Sequence, residues 1–520
     1  MQLNPLALAL STAGGSRFTP LNLFFGGIQG MWYDYNDLST LFTDSAGTIP
    51  ATWGDPIGRQ LDKSQGLANL LLYTSNFSAG VDSFTGTRGA AAGNIDGIGG
   101  EDDWLRLTLD TTNNDHFLQR DGLFEVGRTY TITYKYFIPA GQTVVNAIRA
   151  FNAASISIGS VKTVNGTTTT VTDTFTAVAT SLRFYATNGS TLVIQDAGGD
   201  DVIYVKEITV RTIAGNHRIQ STSGSRPILG RMPKRGRINE LVATATMATQ
   251  NVTVTNAQRT LSFTGTGTVT LSGVSTAGPL VGTGVNNRVS LTFTPTAGTL
   301  TLTVSGSVTL AQLQLGAAFD NYQAVGATAF DITESGQPSC GYLSYNGTNQ
   351  WMQTAAAVNF SATDEMSVFA GVRKVADGAT GFVCEHTADS GSLSGSFGLA
   401  MPTGVAVNSF NYVSRGSVGS QNALANSLPS PVSAVITCLS EISADTNTTR
   451  RNSVLVQSVT TDQGAGNYAN AVTYFGARAG TSLYFNGLEF STIIRGASTS
   501  GTLLTRTEQY VARQTPTVDL

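Results

Sequence analysis

Short runs of alternating apolar and polar side chains recur along most of the chain, and they are clearest in its C-terminal third. Met366, Val368 and Ala370 alternate within residues 360–374, and Leu343 and Tyr345 alternate within 341–352. A period of two sends successive side chains to opposite faces, so both runs read as half-buried strands. They are expected to be neighbours in one antiparallel sheet, with a turn at Asn346-Gly347 and a looser stretch over 355–362. The pattern continues to Arg495, which predicts a β-sandwich over 330–495.

Upstream, residues 69–212 read as repeated strands at 104–109, 130–138, 144–151, 155–161, 167–175, 181–186 and 202–210, separated by Gly, Asn and Asp. That spacing suggests a jelly-roll sandwich. Tyr130, Ile132, Tyr134 and Tyr136 share one face of its cleanest strand, a face expected in the core. A second Thr/Val-rich block follows over 238–325. Its segment 288–304 parallels 171–185, which reads as a diverged, smaller duplicate. Residues 18–64 are rich in aromatics but too short to bury them alone, so Trp32–Asp34 should complete a sheet elsewhere. Residues 213–234 read as loop, and 502–513 as the one good helix, capping the C-terminal sandwich.

Composition sharpens this picture. The chain has 520 residues, 57 of them Gly, and only 12% are charged. That is too long for one core, and two to four domains are expected, roughly. Abundant Thr, Val and Gly fit an all-β protein with many short strands. A net charge of -4 gives no general attraction to nucleic acid. The basic run Arg231–Arg237 (RMPKRGR) is interrupted by Pro233 and Gly236 and reads as a solvated linker. Cys340, Cys384 and Cys438 are odd in number and widely spaced, which suggests buried thiols made in a reducing cytoplasm. No stretch reaches about 18 apolar residues, so no membrane insertion is expected. Residues 1–17 carry only a weak secretory pattern and are expected to be held by a partner chain or by another part of the protein.

Several segments carry a family resemblance: Gly30–Asp34 (GMWYD), 37–47, Asp55–Gly58 (DPIG), Leu61–Ser64 (LDKS), Gly215–Gln220 (GNHRIQ) and Ser225–Pro227 (SRP), then 342–352, 360–374, 462–467, 484–487 and 494–497. Together they resemble a family of bacteriophage and prophage tail-associated structural proteins that contain a concanavalin-A-like, laminin-G-like sandwich. The resemblance covers about half the chain. It implies an all-β fold with the lectin-like sandwich assembled from 18–66, 213–236 and 328–520. Two jelly-roll modules, 67–212 and 237–327, would be inserted at loops, where added length costs little. The first is similar to jelly-roll carbohydrate-binding modules. The resemblance further implies a virion protein made in the host bacterial cytoplasm, an N-terminal arm (1–17) contacting other virion proteins, and a homotrimer.

Candidate chemistry is sparse. His116, His217 and His386 are far apart in sequence and lack metal-ligand spacing. Cys384 and His386 would share a strand face, which reads as a structural pair in the absence of an orienting third group. Gly97–Gly100 lacks the Lys-Ser/Thr of a phosphate loop. Glu101-Asp102-Asp103 could supply oxygen ligands to Ca2+ or form a solvated loop, the favoured reading. Sugar binding needs an aromatic ring with polar partners for hydroxyls, and Asp102, Asp103, Trp104 and Tyr134 are the candidates, a core position being the favoured reading for each ring. The expected function is a non-enzymatic tail fibre or tail-tip component binding host surface polysaccharide. The alternatives are a head or neck decoration protein and a polysaccharide depolymerase, which would need two carboxylates across a cleft.

Overall fold

The computed structural model describes residues 18–47, 49–65, 77–78, 80–81, 83–112, 115–124, 129–152, 157–164, 166–192, 195–212, 215–403, 409–418, 421–425 and 428–520. The expected N-terminal arm and most of the predicted opening of the first module, residues 69–77, lie outside these. The described part is all-β apart from short 3₁₀ turns and one helix, Gly501–Gln514. It divides into two compact units: residues up to Ser64 together with Asn216–Leu520, and Gln65–Gly215.

The Gln65–Gly215 unit is a pair of five-stranded antiparallel sheets around one apolar core. Thr129–Phe137 lies in one sheet between Thr169–Thr176 and Val202–Thr212. Its alternation is satisfied as expected, with Tyr130, Ile132, Tyr134 and Tyr136 all buried.

The larger unit holds two broad sheets face to face. The first runs Ile228–Pro233, Ser339–Asn346, Asn486–Arg495, Glu365–Lys374, Val432–Glu441, Thr446–Arg451 and Val454–Val459, with Gly30–Asp34 also paired to Asn486–Arg495. The second has nine strands, and its middle is Arg218–Ile219, Met352–Thr354, Thr473–Phe475, Phe382–His386, Ser396–Ala400 and Phe410–Arg415. Met366, Val368 and Ala370 of the first sheet meet Met352, Cys384, Phe475 and Tyr412 of the second in one core. Within the 238–325 block a four-stranded and a three-stranded sheet enclose a further core. The helix lies on the opposite face of the first sheet, with Val511 and Ala512 against Trp32, Phe369, Val435 and Ile493. Gly371 gives it room, since a Cβ there would strike the Thr515 side chain. Among the described residues, no helix is long and apolar enough to cross a membrane.

Three local expectations are corrected. The strands Ser339–Asn346 and Glu365–Lys374 share a sheet but do not touch, because Asn486–Arg495 lies between them. Alternation fixes which face a residue occupies but leaves the neighbouring strand open, and a segment about 150 residues downstream takes that place. Residues 213–234 contain two strands, Arg218–Ile219 and Ile228–Pro233, one in each broad sheet. The basic run is no solvated linker. Arg231 pairs with Asp331 at 2.6 Å, Arg235 with Glu334 at 2.5 Å and Asp320 at 2.7 Å, and Lys234 Nζ donates to the helix-end carbonyls of Ala512 and Thr515. These last carbonyls carry the negative end of the helix dipole, and that of Ala512 also accepts the Thr515 N–H at 3.0 Å.

Two buried polar centres organise the larger unit. Asp62 accepts backbone N–H bonds from Trp32, Ser64 and Asn216, all at 2.8 Å, while His217 Nδ1 accepts the Asp62 N–H at 2.9 Å. One carboxylate thus ties together the two chain ends, Ser64 and Asn216, that flank the smaller unit. The second centre is Arg218, fully buried between the sheets. Its Nη1 donates to both oxygens of the buried Glu489, at 3.0 and 3.1 Å, and its Nε to Gln60 Oε1 at 2.9 Å. The Tyr35 hydroxyl accepts from Nη2, and the guanidinium sits 4.5 Å from the Tyr33 ring centroid and 4.8 Å from that of Phe475. Tyr345 and Thr492 hydroxyls donate to Glu489. Burial works to lower the arginine pKa, but Glu489 and the three tyrosines raise it overall, so Arg218 stays charged.

All three cysteines are buried, unpaired thiols, and burial pushes the Cys340 thiol up to about 11. Cys384 and His386 do face the core together. His386 stacks on Phe397 at 5.1 Å, with Phe360 edge-on, and its ring nitrogens contact Thr473 Oγ1 and the Ala469 carbonyl. Burial lowers its pKa to about 4.

Two stability predictions follow from these centres. Arg218→Met leaves Glu489 buried without a counter-charge and should cost about 3–5 kcal/mol in urea unfolding. The double change R218M/E489M should cost clearly less, and equal losses would contradict the assignment. For His386 the folded pKa lies below the unfolded one. Its contribution is therefore fully present above pH 6.5 and is lost as pH falls toward 4, on the order of 3 kcal/mol. Urea midpoints measured across that window should fall less steeply in H386F than in the parent, and parallel curves would contradict the assignment.

Candidate functional site

The register of the nine-stranded sheet aligns one row of residues across its outer face. Arg59, Ile219, Gln353, Tyr474, Glu385, Gly398 and Val413 are successive cross-strand partners. Partners in a ladder share a face, and their neighbours Met352, Phe475 and Cys384 belong to the core, so this row points away from it. Trp351, two positions before Gln353, joins the row.

Trp351 and Tyr474 are both half-buried, with ring centroids 6.2 Å apart and planes at 43°. The Trp351 backbone is fixed from two directions. Its N–H donates to the Ser225 carbonyl at 3.1 Å, and its carbonyl accepts from Gln220 Nε2 at 2.9 Å. Residues of the GNHRIQ and SRP segments thereby place the ring. Gly480 passes close beside the indole, where a Cβ would collide with it, and the Tyr484 hydroxyl donates to the Gly480 carbonyl at 3.1 Å.

Charged groups border this aromatic pair. Arg478 Nη2 donates to Glu385 Oε1 at 2.9 Å, Nη1 lies 3.0 Å from Asp389 Oδ1, and the guanidinium covers the Phe382 ring at 4.7 Å. Ser390 adds its N–H and hydroxyl to the same Glu385 oxygen, at 2.8 and 2.6 Å. Burial raises the Glu385 pKa, and Arg478 and Ser390 oppose it. Glu385 and Asp389 are held by one shared arginine, which fits a fixed polar rim rather than an acid and a base acting from opposite sides of a substrate. Two adjacent rings with the Gln353 amide alongside supply what a sugar requires, apolar area for its ring and hydrogen bonds for its hydroxyls.

The residues singled out from sequence lie elsewhere, in the Gln65–Gly215 unit, and form no such surface. Trp104 is fully buried, and its Nε1–H donates to the carbonyls of Ile98 and Glu101 at 3.1 and 3.0 Å. Tyr134 is fully buried too, 4.9 Å from Phe184, and burial pushes its hydroxyl pKa up. Neither ring offers a face to a ligand. Asp102 is exposed and accepts the Gly97 N–H, while Asp103 takes φ +63° and donates its N–H to Asp96.

Glu101 is committed to Lys206 at 2.8 Å and Lys135 at 3.2 Å, and the Lys206 contact leads in lowering its pKa to about 2. Two ammonium groups at this carboxylate do not suit a calcium ion, and the loop is an ion-paired one. Asp196, Asp200 and Asp201 do cluster, yet Asp196 accepts N–H bonds from Gly198, Asp200 and Asp201, and Asp201 from Thr143, Val144 and Val145. Those carboxylates fasten loops.

The outer-face site was partly visible in sequence. Trp351 sits out of phase with the core residues Met352 and Thr354, which marks it as facing outward. Nothing local joins it to Tyr474, since only the sheet register brings the two together.

No protein-family model matches this chain, and no curated protein matches it. Among solved structures it is similar to the binding domain of botulinum neurotoxin DC in complex with rat synaptotagmin II, at 9% identity and a TM-score of 0.25, over 35% of this chain and 43% of that one. It is also similar to the binding domain of botulinum neurotoxin DC in complex with SialylT, at 10% identity and a TM-score of 0.26, over 33% and 42%. A third structure, described by the dependence of botulinum neurotoxin type C cell entry on two ganglioside molecules, matches at 10% identity and a TM-score of 0.26, over 33% and 42%. The match spans less than half of each of these chains, and similarity of this degree carries no argument about the present one.

Proposed function

We propose that this chain is a non-enzymatic bacteriophage virion protein, a tail fibre or tail-tip component, that binds host surface glycan on the outer face of its nine-stranded sheet. The observation that carries the binding role is the half-buried Trp351–Tyr474 pair beside Gln353, with Arg478 and Glu385 locked next to it. Rings held in place by the fold lose little freedom on binding, so their apolar area contributes to affinity with little offsetting entropy. The virion assignment rests on the GMWYD, LDKS, GNHRIQ and SRP segments. Their residues Trp32, Ser64 and Asn216 converge on the buried Asp62 carboxylate, and Gln220 and Ser225 position Trp351. Single sugar sites on open sheets bind weakly, and a homotrimer joined to the particle through residues 1–17 supplies avidity.

The test is binding of the full chain to isolated host surface polysaccharide, with soluble sugar measured in the same samples. Saturable binding without sugar release is expected. Trp351→Ala should weaken it by roughly tenfold or more while leaving the urea midpoint within experimental scatter. Unchanged binding by W351A would remove the outer-face site, and release of oligosaccharides would overturn the non-enzymatic reading.

A further inference from the structure

Within the larger unit, the 238–325 block meets the outer face of the eight-stranded sheet beside an apolar cluster that includes Met232, Val325, Tyr342 and Phe490. Next to that cluster is an open cleft of about 600 Å³, within the size range of small-ligand sites. Two arginines line it. Arg373 comes from the strand Glu365–Lys374, and Arg237 from the segment that follows Ile228–Pro233.

Among the described residues neither guanidinium is in an ion pair, although the Glu240 carboxylate also lines the cleft and acts on Arg237. Arg237 spends its Nε on the Asn239 carbonyl at 2.9 Å. Among the described residues, Arg373 has no hydrogen-bond or carboxylate partner. Both nearby acids are committed elsewhere: Glu240 holds Arg259 through two contacts, at 2.7 and 3.1 Å, and Asp331 holds Arg231 at 2.6 Å. Burial lowers the pKa of both lining arginines, and the Arg237 charge lowers that of Arg373 further. Tyr342 beneath them is pushed up to about 12 by burial, against the pull of both arginines, so it stays a neutral phenol. Its ring occupies space that a Cβ on Gly230 would fill.

Two half-desolvated cations side by side favour an anion between them. The planar guanidinium fork matches a carboxylate through paired hydrogen bonds. The rest of the wall mixes apolar side chains, Phe330 and Leu488 among them, with Thr253, Ser344 and the arginine-paired Glu240, and the volume exceeds that of a simple ion. We infer that this cleft binds a carboxylate-bearing saccharide, its carboxylate between Arg237 and Arg373 and its ring against Phe330 and Leu488. The saccharide part rests on the glycan reading above, whereas the anion part stands on the two arginines alone.

The experiment is calorimetric titration of the full chain with glucuronic acid, glucose and inorganic phosphate, using the parent, R373Q and R373K. Glucuronic acid should bind, and its affinity should fall by at least roughly tenfold in R373Q, less in R373K, and further with added salt. Loss of glucuronic acid binding in R373Q separates this cleft from the aromatic face whatever becomes of the latter, since Arg373 and Trp351 belong to opposite sides of the sandwich. Glucuronic acid binding that ignores R373Q, or no binding at millimolar concentration, would overturn the site. Phosphate binding as tightly as glucuronic acid, or glucose binding with the same R373Q sensitivity, would overturn the ligand class.

Discussion

The larger unit depends on a charge pair placed where charges are expensive. Arg218 comes from the nine-stranded sheet and Glu489 from the eight-stranded one, so their contact spans the whole thickness of the sandwich. Neither is exposed, and an isolated ion there would cost several kcal/mol, roughly. What makes the pair tolerable is completeness: Gln60, Tyr35, Tyr345 and Thr492 occupy the remaining donor and acceptor positions. Such a network does more for uniqueness than for stability, because a slipped register would strand one charge in an apolar layer. It therefore fixes the alignment of Arg218–Ile219 with its neighbours, and with it the outer row that contains Gln353 and Tyr474.

The sequence was legible where information is local. Met366, Val368 and Ala370 declared a buried face, Thr129–Phe137 declared another, and the helix emerged as Gly501–Gln514. It was opaque where partners are distant. Strand adjacency depends on which segment returns to pair, and Asn486–Arg495 inserts itself between two strands that looked consecutive. Arg218 lay in a stretch read as loop because its strand is two residues long and its side chain is charged. The Glu101–Trp104 segment misled for a related reason: an indole next to three acids suggests a sugar platform, yet the indole turns inward and Glu101, three residues before it, is paired with Lys135 and Lys206.

Two surfaces with opposite chemistry remain on the larger unit. On the outer face of the nine-stranded sheet, Arg478 is already satisfied by Glu385 and Asp389, which leaves rings and an amide to meet a ligand. In the cleft beside Tyr342 the carboxylates are spent on other arginines, which leaves cationic groups uncompensated. Under the proposed function, a host polysaccharide that alternates neutral and acidic units would meet both. Joining two weak sites in one chain raises effective affinity without any new contact.

The measurement that tests the central claim most directly is hydroxyl-radical footprinting of the full chain with and without saturating host polysaccharide. Trp351 and Tyr474 should react in the free chain and become protected on binding, while the buried Trp104 stays unreactive in both states. Saturable binding that leaves Trp351 and Tyr474 as reactive as before would contradict the outer-face account and direct attention to the Gln65–Gly215 unit.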